Sequence, residues 1–224
     1  MIGIFHIHTS YSSDTAVSPQ KVVARLQKLG VDFAAITDHQ TIQGALEVKR
    51  LAPPTLTIIV GAEYHTEKGD IIGLFMEREV KSKKSSELIS EIKKQGGIVV
   101  LPHPYKAHKL DAELIQSVDV IEVYNSRADR LKNCKALALA KEYSKKCIAG
   151  SDAHFTQEIG LTMMEFSDKD LKFAILNSEG RIIKSQESPA FYPPISGMIN
   201  LYKTKNLYLL LKWIKKLGQI VIKR

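Results

Sequence analysis

Histidine and carboxylate residues follow short apolar segments at five places in this 224-residue chain. His6 and His8 end the first of these segments, and Asp152 and His154 end the last one. Residues i and i+2 of a strand share one face, so we expect each pair to converge on a single point. The three segments between them are followed by Asp38 and His39, by Glu63, and by His103. Clustered imidazole and carboxylate groups are typical of metal centres, and the spacing therefore predicts one.

Each of these residues also has an ordinary interpretation when it is considered alone. A single histidine is more often a surface or core side chain than a metal ligand, and short motifs match by chance. The group is harder to explain in that way, because five separate strand ends deliver a candidate ligand. In addition, Pro102 and Pro104 flank His103, and two prolines stiffen the chain that carries this imidazole. The whole set therefore indicates a metal-dependent enzyme.

The elements that carry these residues alternate between strand and helix. Strands are predicted at residues 2–6, 33–37, 57–62, 98–102, 119–124 and 148–151. Helices are predicted at residues 18–29, 43–51, 85–95, 111–116, 128–145 and 168–178, and a hairpin at residues 63–75. Such alternation is typical of parallel β/α units. Because candidate ligands follow many strands, we expect an α/β barrel of about seven strands with its site at the carboxyl ends, and an open doubly wound sheet is the less favoured alternative.

The formal net charge of +8 is concentrated at one end of the chain. Residues 195–224 contain seven basic residues and no acidic one, so they carry +7 of this charge. The preceding part is nearly neutral, which argues against the basic groove of a dedicated nucleic-acid enzyme. We therefore divide the chain into a catalytic barrel at residues 1–194 and a basic segment at residues 195–224. Prolines at positions 189, 193 and 194 predict a loop between them.

The basic segment has the pattern of an amphipathic helix. Between residues 205 and 219, apolar residues recur at helical spacing and lysines gather on the opposite side. The apolar positions are Leu207, Leu210, Leu211, Ile214 and Leu217. The favoured interpretation packs this stripe on the barrel and leaves the lysines in water. Because Leu209 and Trp213 lie nearer the charged side, the helix is also suited to touch a membrane surface, a second subunit or an RNA backbone.

The composition favours a cytoplasmic protein. Cys134 and Cys147 are too few for a disulfide framework, and their spacing fits no Cys-x-x-Cys motif. No charged and apolar leader precedes the first predicted strand, and no uncharged segment approaches the roughly 18 residues of a transmembrane helix. We therefore expect an intracellular enzyme without a transmembrane segment.

Several short motifs occur together in the order of a known family. They are His6-Ile7-His8, Ser13-Asp14, Thr37-Asp38-His39, Gly61-Ala62-Glu63, Pro102-His103-Pro104 and Ser151-Asp152-Ala153-His154. With these motifs the chain resembles the PHP (polymerase and histidinol phosphatase) superfamily over about residues 1–165. The resemblance implies a distorted seven-stranded TIM-like β/α barrel. It also implies up to three metal ions, commonly zinc, manganese or iron, and the hydrolysis of phosphate esters.

The same resemblance assigns metal ligands position by position. It makes His6, His8, Glu63 and Asp152 ligands of one ion, with Glu63 bridging to a second ion that His103 also holds. It makes Asp14, His39 and His154 ligands of a third ion. Two or three divalent ions are therefore expected, with magnesium as a further candidate, and Glu63 is counted as catalytic.

The chain departs from the family pattern at two positions. Asp14 stands where many relatives have a histidine, and Asp70 follows Glu63 where a second histidine ligand often occurs. His65 is the alternative to Asp70, but its register against the pattern is poorer, so Asp70 is the preferred ligand. Carboxylates harden a metal site, which shifts its preference from zinc toward manganese or magnesium.

Three further residues are candidates for catalysis or substrate binding. Asp38 is interpreted as catalytic, either because it orients the imidazole of His39 or because it caps the following helix. Similar small PHP proteins carry the Asn-x-Arg seen at Asn125 and Arg127, which assigns both residues to substrate binding. The Arg127 guanidinium would hold a phosphate bidentately. The alternative is that Arg127 caps a helix or pairs with Asp129.

The favoured function is hydrolysis of a phosphate ester by metal-activated water in a di- or trinuclear site. A small phosphorylated substrate is expected. A PHP-type nuclease acting on short RNA or DNA would use the same metals, and salt-sensitive binding through the basic segment would distinguish it. A non-catalytic, metal-stabilised binding module is the second alternative, which the nearly complete ligand set disfavours.

Overall fold

A seven-stranded barrel forms the centre of the computed structural model, which describes residues 1–177 and 180–206. The barrel strands are β1 (Ile2–Ile7), β2 (Phe33–Ile36), β3 (Thr57–Thr66), β4 (Gly69–Leu74), β5 (Ile98–Leu101), β6 (Val120–Asn125) and β7 (Lys146–Ala153). β1 pairs with β2 on one side and with β7 on the other, which closes the sheet. Neighbouring barrel strands are parallel except at β4, which is antiparallel to β3 and β5. The predicted distorted α/β barrel is confirmed.

The hairpin predicted at residues 63–75 is part of the barrel wall. β3 continues to Thr66, and β4 returns beside it from Gly69. Gly69 has a φ of 116°, a conformation that glycine adopts at little steric cost. Because β4 then pairs with β5, the hairpin supplies a barrel strand that runs against the direction of the others.

Helices follow the strands close to the predicted positions. They are α1 (Pro19–Leu29), α2 (Gln43–Leu51), α3 (Ser85–Lys94), α4 (Ala112–Ser117), α5 (Arg130–Glu142) and α6 (Leu171–Asn177). The Ser18 side chain caps α1 by accepting from the Lys21 backbone, and Gly30 ends this helix with a φ of 64°. Asp111 and Asp129 cap α4 and α5 in the same way. Such caps satisfy backbone N–H groups that have no partner inside the helix, and so fix where each helix starts.

The barrel interior is filled with apolar side chains. Each barrel strand contributes to this interior cluster, through Phe5, Phe33, Ile59, Ile72, Ile98, Val120 and Ile148. Phe5 packs edge-on against Phe33, with ring centroids 5.4 Å apart. Leu171 and Ile175 of α6 join the same cluster, while α1 to α4 pack on the outside of the strands in a second cluster. A barrel filled in this way is a packed core, so its functional groups must lie at a strand end.

Three described elements have no counterpart in the sequence prediction. β8 (Thr162–Glu165) lies antiparallel to β1, and β9 (Arg181–Ser185) lies antiparallel to β8. Helix α7 (Tyr192–Lys203) begins where prolines predicted a loop. Pro193 and Pro194 occupy its first turn, where a missing N–H costs no helical hydrogen bond. α7 crosses residue 194, and the division of the chain at that residue stays a prediction.

The basic amphipathic helix predicted at residues 205–219 extends beyond residue 206 and so lies outside the described residues. Among the helices of residues 1–177 and 180–206, none has the length and apolar character needed to cross a lipid bilayer.

Candidate metal centre

Five side chains meet at the carboxyl ends of the barrel strands around the carboxylate of Glu63. This inner cluster consists of His6, His8, Glu63, His103 and Asp152, all of which are buried. Oxygens of Glu63 lie 3.3 Å from His6 Nε2, 3.4 Å from His8 Nε2 and 3.1 Å from His103 Nε2. Asp152 Oδ1 lies 3.6 Å from His6 Nε2 and 3.5 Å from His8 Nε2. Nitrogen and oxygen donors at these separations can share metal ions.

Three more side chains form a distal cluster beside the inner one: Asp14, His39 and His154. Asp14 Oδ2 lies 3.2 Å from His39 Nε2 and 2.9 Å from His154 Nε2. His39 Nδ1 is also 3.3 Å from Glu63 Oε2, and His8 forms a close triplet with His39 and His154. The two clusters are therefore contiguous. They bring together eight of the nine ligands predicted from the sequence, and which ions these residues hold stays a prediction.

The strand ends are bent where they present the inner cluster. His6, His103 and Asp152 have positive φ angles of 63°, 28° and 48°. Left-handed backbone is costly for residues other than glycine and is concentrated at functional sites. His6 and His8 do converge, with ring centroids 5.1 Å apart. Their convergence comes from an irregular end of β1, where the register shifts against both neighbours, and not from the regular alternation expected from the sequence.

Glu122 on β6 is a buried carboxylate that the sequence prediction missed. Its Oε1 accepts a hydrogen bond from His6 Nδ1 at 2.9 Å. Its Oε2 accepts from the His103 backbone at 2.9 Å and from Asn125 Nδ2 at 2.8 Å. Gly150 makes room for this arrangement, because a Cβ at that position would overlap Glu122 Oε1. Three carboxylates, led by Glu122, outweigh burial and raise the pKa of His6 well above its usual value. When the ring is neutral and its proton is held on Nδ1, His6 presents the lone pair of Nε2 to the inner cluster.

Asp38 holds the loop that follows β1. Its Oδ1 accepts from the Thr9 backbone at 2.6 Å and from Ser12 Oγ at 2.8 Å, and its Oδ2 accepts from Thr9 Oγ1 at 2.8 Å. Because Ser12 gives its proton to Asp38, the Ser12 oxygen accepts from His8 Nδ1 at 3.2 Å, which directs the lone pair of His8 Nε2 inward. Asp38 thus supports His8 through Ser12, whereas the two roles considered from the sequence were orientation of the His39 imidazole and capping of α2. Its assignment as catalytic stays a prediction.

Burial and neighbouring charges determine protonation in the site. Burial alone would raise the pKa of Glu63, but the surrounding imidazoles hold it well below its usual range. The pKa of Asp152 is likewise lowered against burial, by Lys106 and the histidines. Burial lowers the pKa of His8 to about 3. For His39, nearby carboxylates led by Glu63 outweigh burial and raise the pKa to about 9.

Three buried atoms of the two clusters have no hydrogen-bond partner within the described ranges: His8 Nε2, His103 Nδ1 and Asp14 Oδ1. Unpartnered polar atoms in the interior cost stability, and each one calls for an explanation. A divalent cation fits this site, because His8 Nε2 faces the carboxylates of Glu63 and Asp152 without a proton to share. Imidazole and carboxylate donors are suitable ligands for zinc, manganese and iron.

Arg127 lies at the edge of the site in a buried ion pair with Glu158. Its Nε and Nη2 each donate to one oxygen of Glu158 at 2.8 Å, and Nη2 also donates to Ser196 Oγ of α7 at 3.0 Å. Asp129, the partner considered from the sequence, instead caps α5. Asn125 Oδ1 accepts from the Arg127 backbone at 2.9 Å, which orders this loop. Substrate binding by Asn125 and Arg127 stays a prediction.

A cavity of about 270 Å³ opens over the two clusters. Besides cluster residues, its walls contain Asp70, Lys106, Arg127, Pro193, Ser196, Gly197 and Asn200. Lys106 was missed in the sequence, and its Nζ lies 3.1 Å from Asp152 Oδ2. Asp70 faces the cavity, whereas the side chain of His65 is 78% exposed and pairs with Asp70 at 2.9 Å. Asp70 thus lines the cavity, and its role as a metal ligand stays a prediction.

Sequence comparisons match parts of this chain to a family model and to an uncharacterised protein. A family model described as PHP-associated matches residues 130–178. An uncharacterised protein of Methanocaldococcus jannaschii is 35% identical over 136 residues, which cover 54% of this chain and 80% of that protein.

Structural comparisons give the same barrel. A two-domain protein of Bacteroides vulgatus containing a predicted PHP-like metal-dependent phosphoesterase matches with a TM-score of 0.68 at 20% identity. The match covers 83% of this chain and 65% of the Bacteroides vulgatus chain, so the present chain spans slightly less than two thirds of the length of that protein. PsfC of Pseudomonas syringae matches with a TM-score of 0.64 at 17% identity, over 91% of this chain and 98% of that one. Both matches support the barrel fold.

Proposed function

This chain belongs to the PHP superfamily, and we propose that it is a metal-dependent phosphoesterase. The observation that carries the proposal is the position of Glu63, whose carboxylate lies between His6 and His8 on one side and His103 on the other. A carboxylate with imidazoles at both oxygens is suited to bridge two cations. The description of the Bacteroides vulgatus protein as PHP-like and metal-dependent supports the same class of chemistry.

We assign two divalent ions to the inner cluster and a third to the distal cluster. Manganese, zinc and iron suit these donors, and the carboxylate of Asp14 in the distal cluster favours a harder ion such as manganese or magnesium. When bound, the ions would activate a water molecule and neutralise charge on a phosphate ester. Glu122 and Ser12 hold His6 and His8 in the tautomer that offers Nε2 to a metal.

Lys106 and Arg127 are the cations that we assign to the substrate phosphate. The side chain of Lys106 is 44% exposed, and Asp152 is its one ionic partner in the described ranges. Its ammonium therefore has further N–H donors for an anion in the cavity. Arg127 is held in place by Glu158 and contributes a fixed guanidinium to the wall. In this assignment Lys106 contacts the phosphate, and Arg127 adds attraction at short range.

The cavity favours a small phosphorylated molecule. Its volume of about 270 Å³ is close to the lower limit of about 300 Å³ for small-molecule sites. Helix α7 forms one wall, which limits the length of a chain that could pass over the ions. Hydrolysis of short oligonucleotides stays an alternative prediction, and most of the basic segment on which it relies lies outside the described residues.

Hydrolysis of phosphate monoesters, diesters and short oligonucleotides by protein reconstituted separately with manganese, zinc, iron or magnesium tests this function. We expect a small monoester to be the best substrate. Glu63→Gln should lower kcat by about 100-fold or more, since the ions lose a shared charged ligand. Glu113→Gln is the matched control, because that side chain is 81% exposed. Failure to hydrolyse any phosphate ester with any of these metals, or equal activity of Glu63→Gln and Glu113→Gln, would reject the proposal.

A further inference from the structure

Helix α7 ends at a lysine whose amino group reaches across to the loop between β1 and α1. We infer that Lys203 is a positioning residue for the distal cluster, which it serves by holding the loop that carries Asp14. This inference rests on the metal centre of the proposed function, but not on the identity of the substrate.

The contact is unusual because one ammonium satisfies three backbone carbonyls of a single loop. Lys203 Nζ donates to Ser10 O at 3.0 Å, to Ser12 O at 2.9 Å and to Thr15 O at 2.6 Å. A lysine ammonium has three donors, so all of its hydrogen-bonding capacity is used here. The three carbonyl dipoles converge on one positive charge, as they would on a bound cation.

Asp14 lies between two of the residues that Lys203 holds, Ser12 and Thr15. The same loop is closed on itself, because the Ser10 backbone donates to Val17 O at 2.7 Å. Thr15 Oγ1 donates to the carbonyl oxygen of His154 at 2.6 Å, which ties the loop to a second member of the distal cluster. Fixing the backbone on both sides of Asp14 therefore fixes where its carboxylate meets the imidazoles.

Removal of the ammonium would leave three carbonyl oxygens pointing at one another with no donor between them. Their repulsion, and their demand for water, would open the loop. Asp14 would then leave its contacts with His39 and His154. The inner cluster should follow much less. Four of its five residues lie at strand ends outside this loop: His6, Glu63, His103 and Asp152. Only His8 is linked to the loop, through the Ser12 hydroxyl.

The experiment measures manganese binding to full-length, metal-stripped protein. We expect Lys203→Met to weaken the distal ion by about 10-fold or more and to weaken the inner ions much less, since four of the five inner-cluster residues lie outside the loop. Asp14→Asn identifies the distal ion, since it removes a ligand of that site directly, and Lys203→Met should reproduce its binding curve. Hydrogen exchange followed by mass spectrometry gives a readout that needs no activity: amides of residues 10–17 should exchange faster in Lys203→Met.

Lys145→Met is the matched control. Lys145 Nζ also bridges backbone carbonyls, Gln116 O at 2.8 Å and Val118 O at 2.7 Å, but far along the chain from the loop of Asp14. It should lower stability without changing metal affinity. If Lys203→Met does not fold, Lys203→Gln, whose amide retains two donors, is compared with Lys145→Gln in the same assays.

The inference is overturned if Lys203→Met binds all ions like the wild type, or if Lys145→Met loses the same ion. It is also overturned if Asp14→Asn removes no ion from the wild-type set. Each of these results concerns binding alone. An absence of hydrolysis would count against the proposed function. It would not change the conclusion on Lys203, which depends on metal binding and hydrogen exchange.

Discussion

The Nδ1 atoms of three site histidines each donate to an acceptor behind the two clusters. His6 donates to Glu122, His8 donates to Ser12, and His154 donates to the carbonyl oxygen of Asp152 at 2.9 Å. A neutral imidazole carries one proton, so in the neutral ring each of these hydrogen bonds leaves the lone pair on Nε2, which faces the carboxylates of the two clusters. At the scale of residues, metal affinity should therefore depend on the acceptors as well as on the ligands.

Glu122→Gln tests this dependence. A glutamine can accept from His6 Nδ1, but its amide N–H groups would then face the His103 backbone N–H and Asn125 Nδ2, which are themselves donors. We expect the affinity of the inner cluster for manganese to fall by about 10- to 100-fold, the usual effect of losing such a support. Competition with a chelator measures this change. Glu165→Gln, at an exposed ion pair with Arg181, should have no effect, and equal affinities in both variants would contradict the prediction.

Metal uptake should release protons, because His39 is protonated in the metal-free protein. Its pKa is raised to about 9, against about 6.5 in an unfolded chain. The charge on His39 therefore stabilises the metal-free fold fully below pH 6.5, and this contribution is lost as the pH rises through about 9. We expect the Tm of the metal-free protein to fall across that range, and less so in His39→Gln.

Calorimetry in buffers of different ionisation enthalpy measures the protons released on manganese binding at pH 7.5. His39→Gln should release fewer protons than the wild type, and His65→Gln, at an exposed histidine of β3, should match the wild type. Identical proton release in all three proteins would show that His39 binds metal without exchanging a proton.

The convergence of the candidate ligands could be predicted from the sequence, because all of the cluster residues except Asp14 follow an apolar strand. Asp14 was assigned only by the family resemblance. The residues that contact these candidate ligands from behind, such as Glu122, could not be predicted. Glu122 lies 116 positions from His6. It is the one acidic residue of the mostly apolar strand β6, which was the available signal. Nothing in the sequence singles out Lys106 except its closeness to His103, because lysines are common in loops.

At the scale of elements, Arg127 connects three parts of the chain around the cavity. It follows β6, pairs with Glu158 after β7, and reaches Ser196 of α7. The side chain of Glu158 is fully buried, and it also accepts from the backbones of His154 and Phe155, at 2.8 Å and 3.0 Å. His154 of the distal cluster lies just after β7. The Arg127–Glu158 pair thus joins this end of β7 to the cavity wall.

Arg127→Met should destabilise the fold, because it leaves Glu158 buried without its partner. Loss of one member of a buried ion pair costs about 3–5 kcal/mol, which urea unfolding of the metal-loaded protein would detect. Lys106→Met should cost less than Arg127→Met, because the Lys106 side chain is half-exposed and the metal ions remain as partners of Asp152 in the metal-loaded protein. It should instead weaken inhibition by inorganic phosphate by about 10-fold or more, the effect expected for a charged hydrogen bond.

The opposite pattern would reverse the assignment of the two cations. If Arg127→Met keeps its stability and loses phosphate affinity, while Lys106→Met keeps that affinity, then Arg127 is the residue that contacts the phosphate. Such a result would agree with the role that the family resemblance implies for Arg127.

Elements were predictable where local signals were strong. Ser18 and Gly30 mark both ends of α1, and the barrel strands other than β4 each contain a short, mostly apolar segment that is recognisable in the sequence. β8 and β9 could not be found in the same way, because β8 is four residues long and β9 is largely exposed. α7 was missed because Pro193 and Pro194 suggest a loop. Prolines are also compatible with the first turn of a helix, but the sequence does not show where this helix starts.

At the scale of the whole molecule, stability and chemistry occupy different ends of the barrel. Apolar side chains fill the interior and α6 packs against them, while the buried charged groups of the site gather at the carboxyl ends of the strands. The net charge is distributed in a different way. Residues 207–224 contain five basic residues and no acidic one, so a chain ending at Asn206 would have a formal charge of +3 instead of +8.

A chain that ends at Asn206 should therefore keep its chemistry and lose its attraction to polyanions. All assigned ligands, Lys106, Arg127 and Lys203 precede the truncation, so metal content and monoester hydrolysis should remain within about twofold of the full chain. Binding to single-stranded DNA or RNA should weaken, and its dependence on salt should flatten, because fewer counterions are released. The control is the full-length chain with Lys212, Lys215 and Lys216 changed to glutamine, which removes charge without shortening the protein. If both proteins retain monoester hydrolysis but lose activity on oligonucleotides that the full chain cleaves, the basic segment recruits nucleic acid and the small-substrate proposal is wrong.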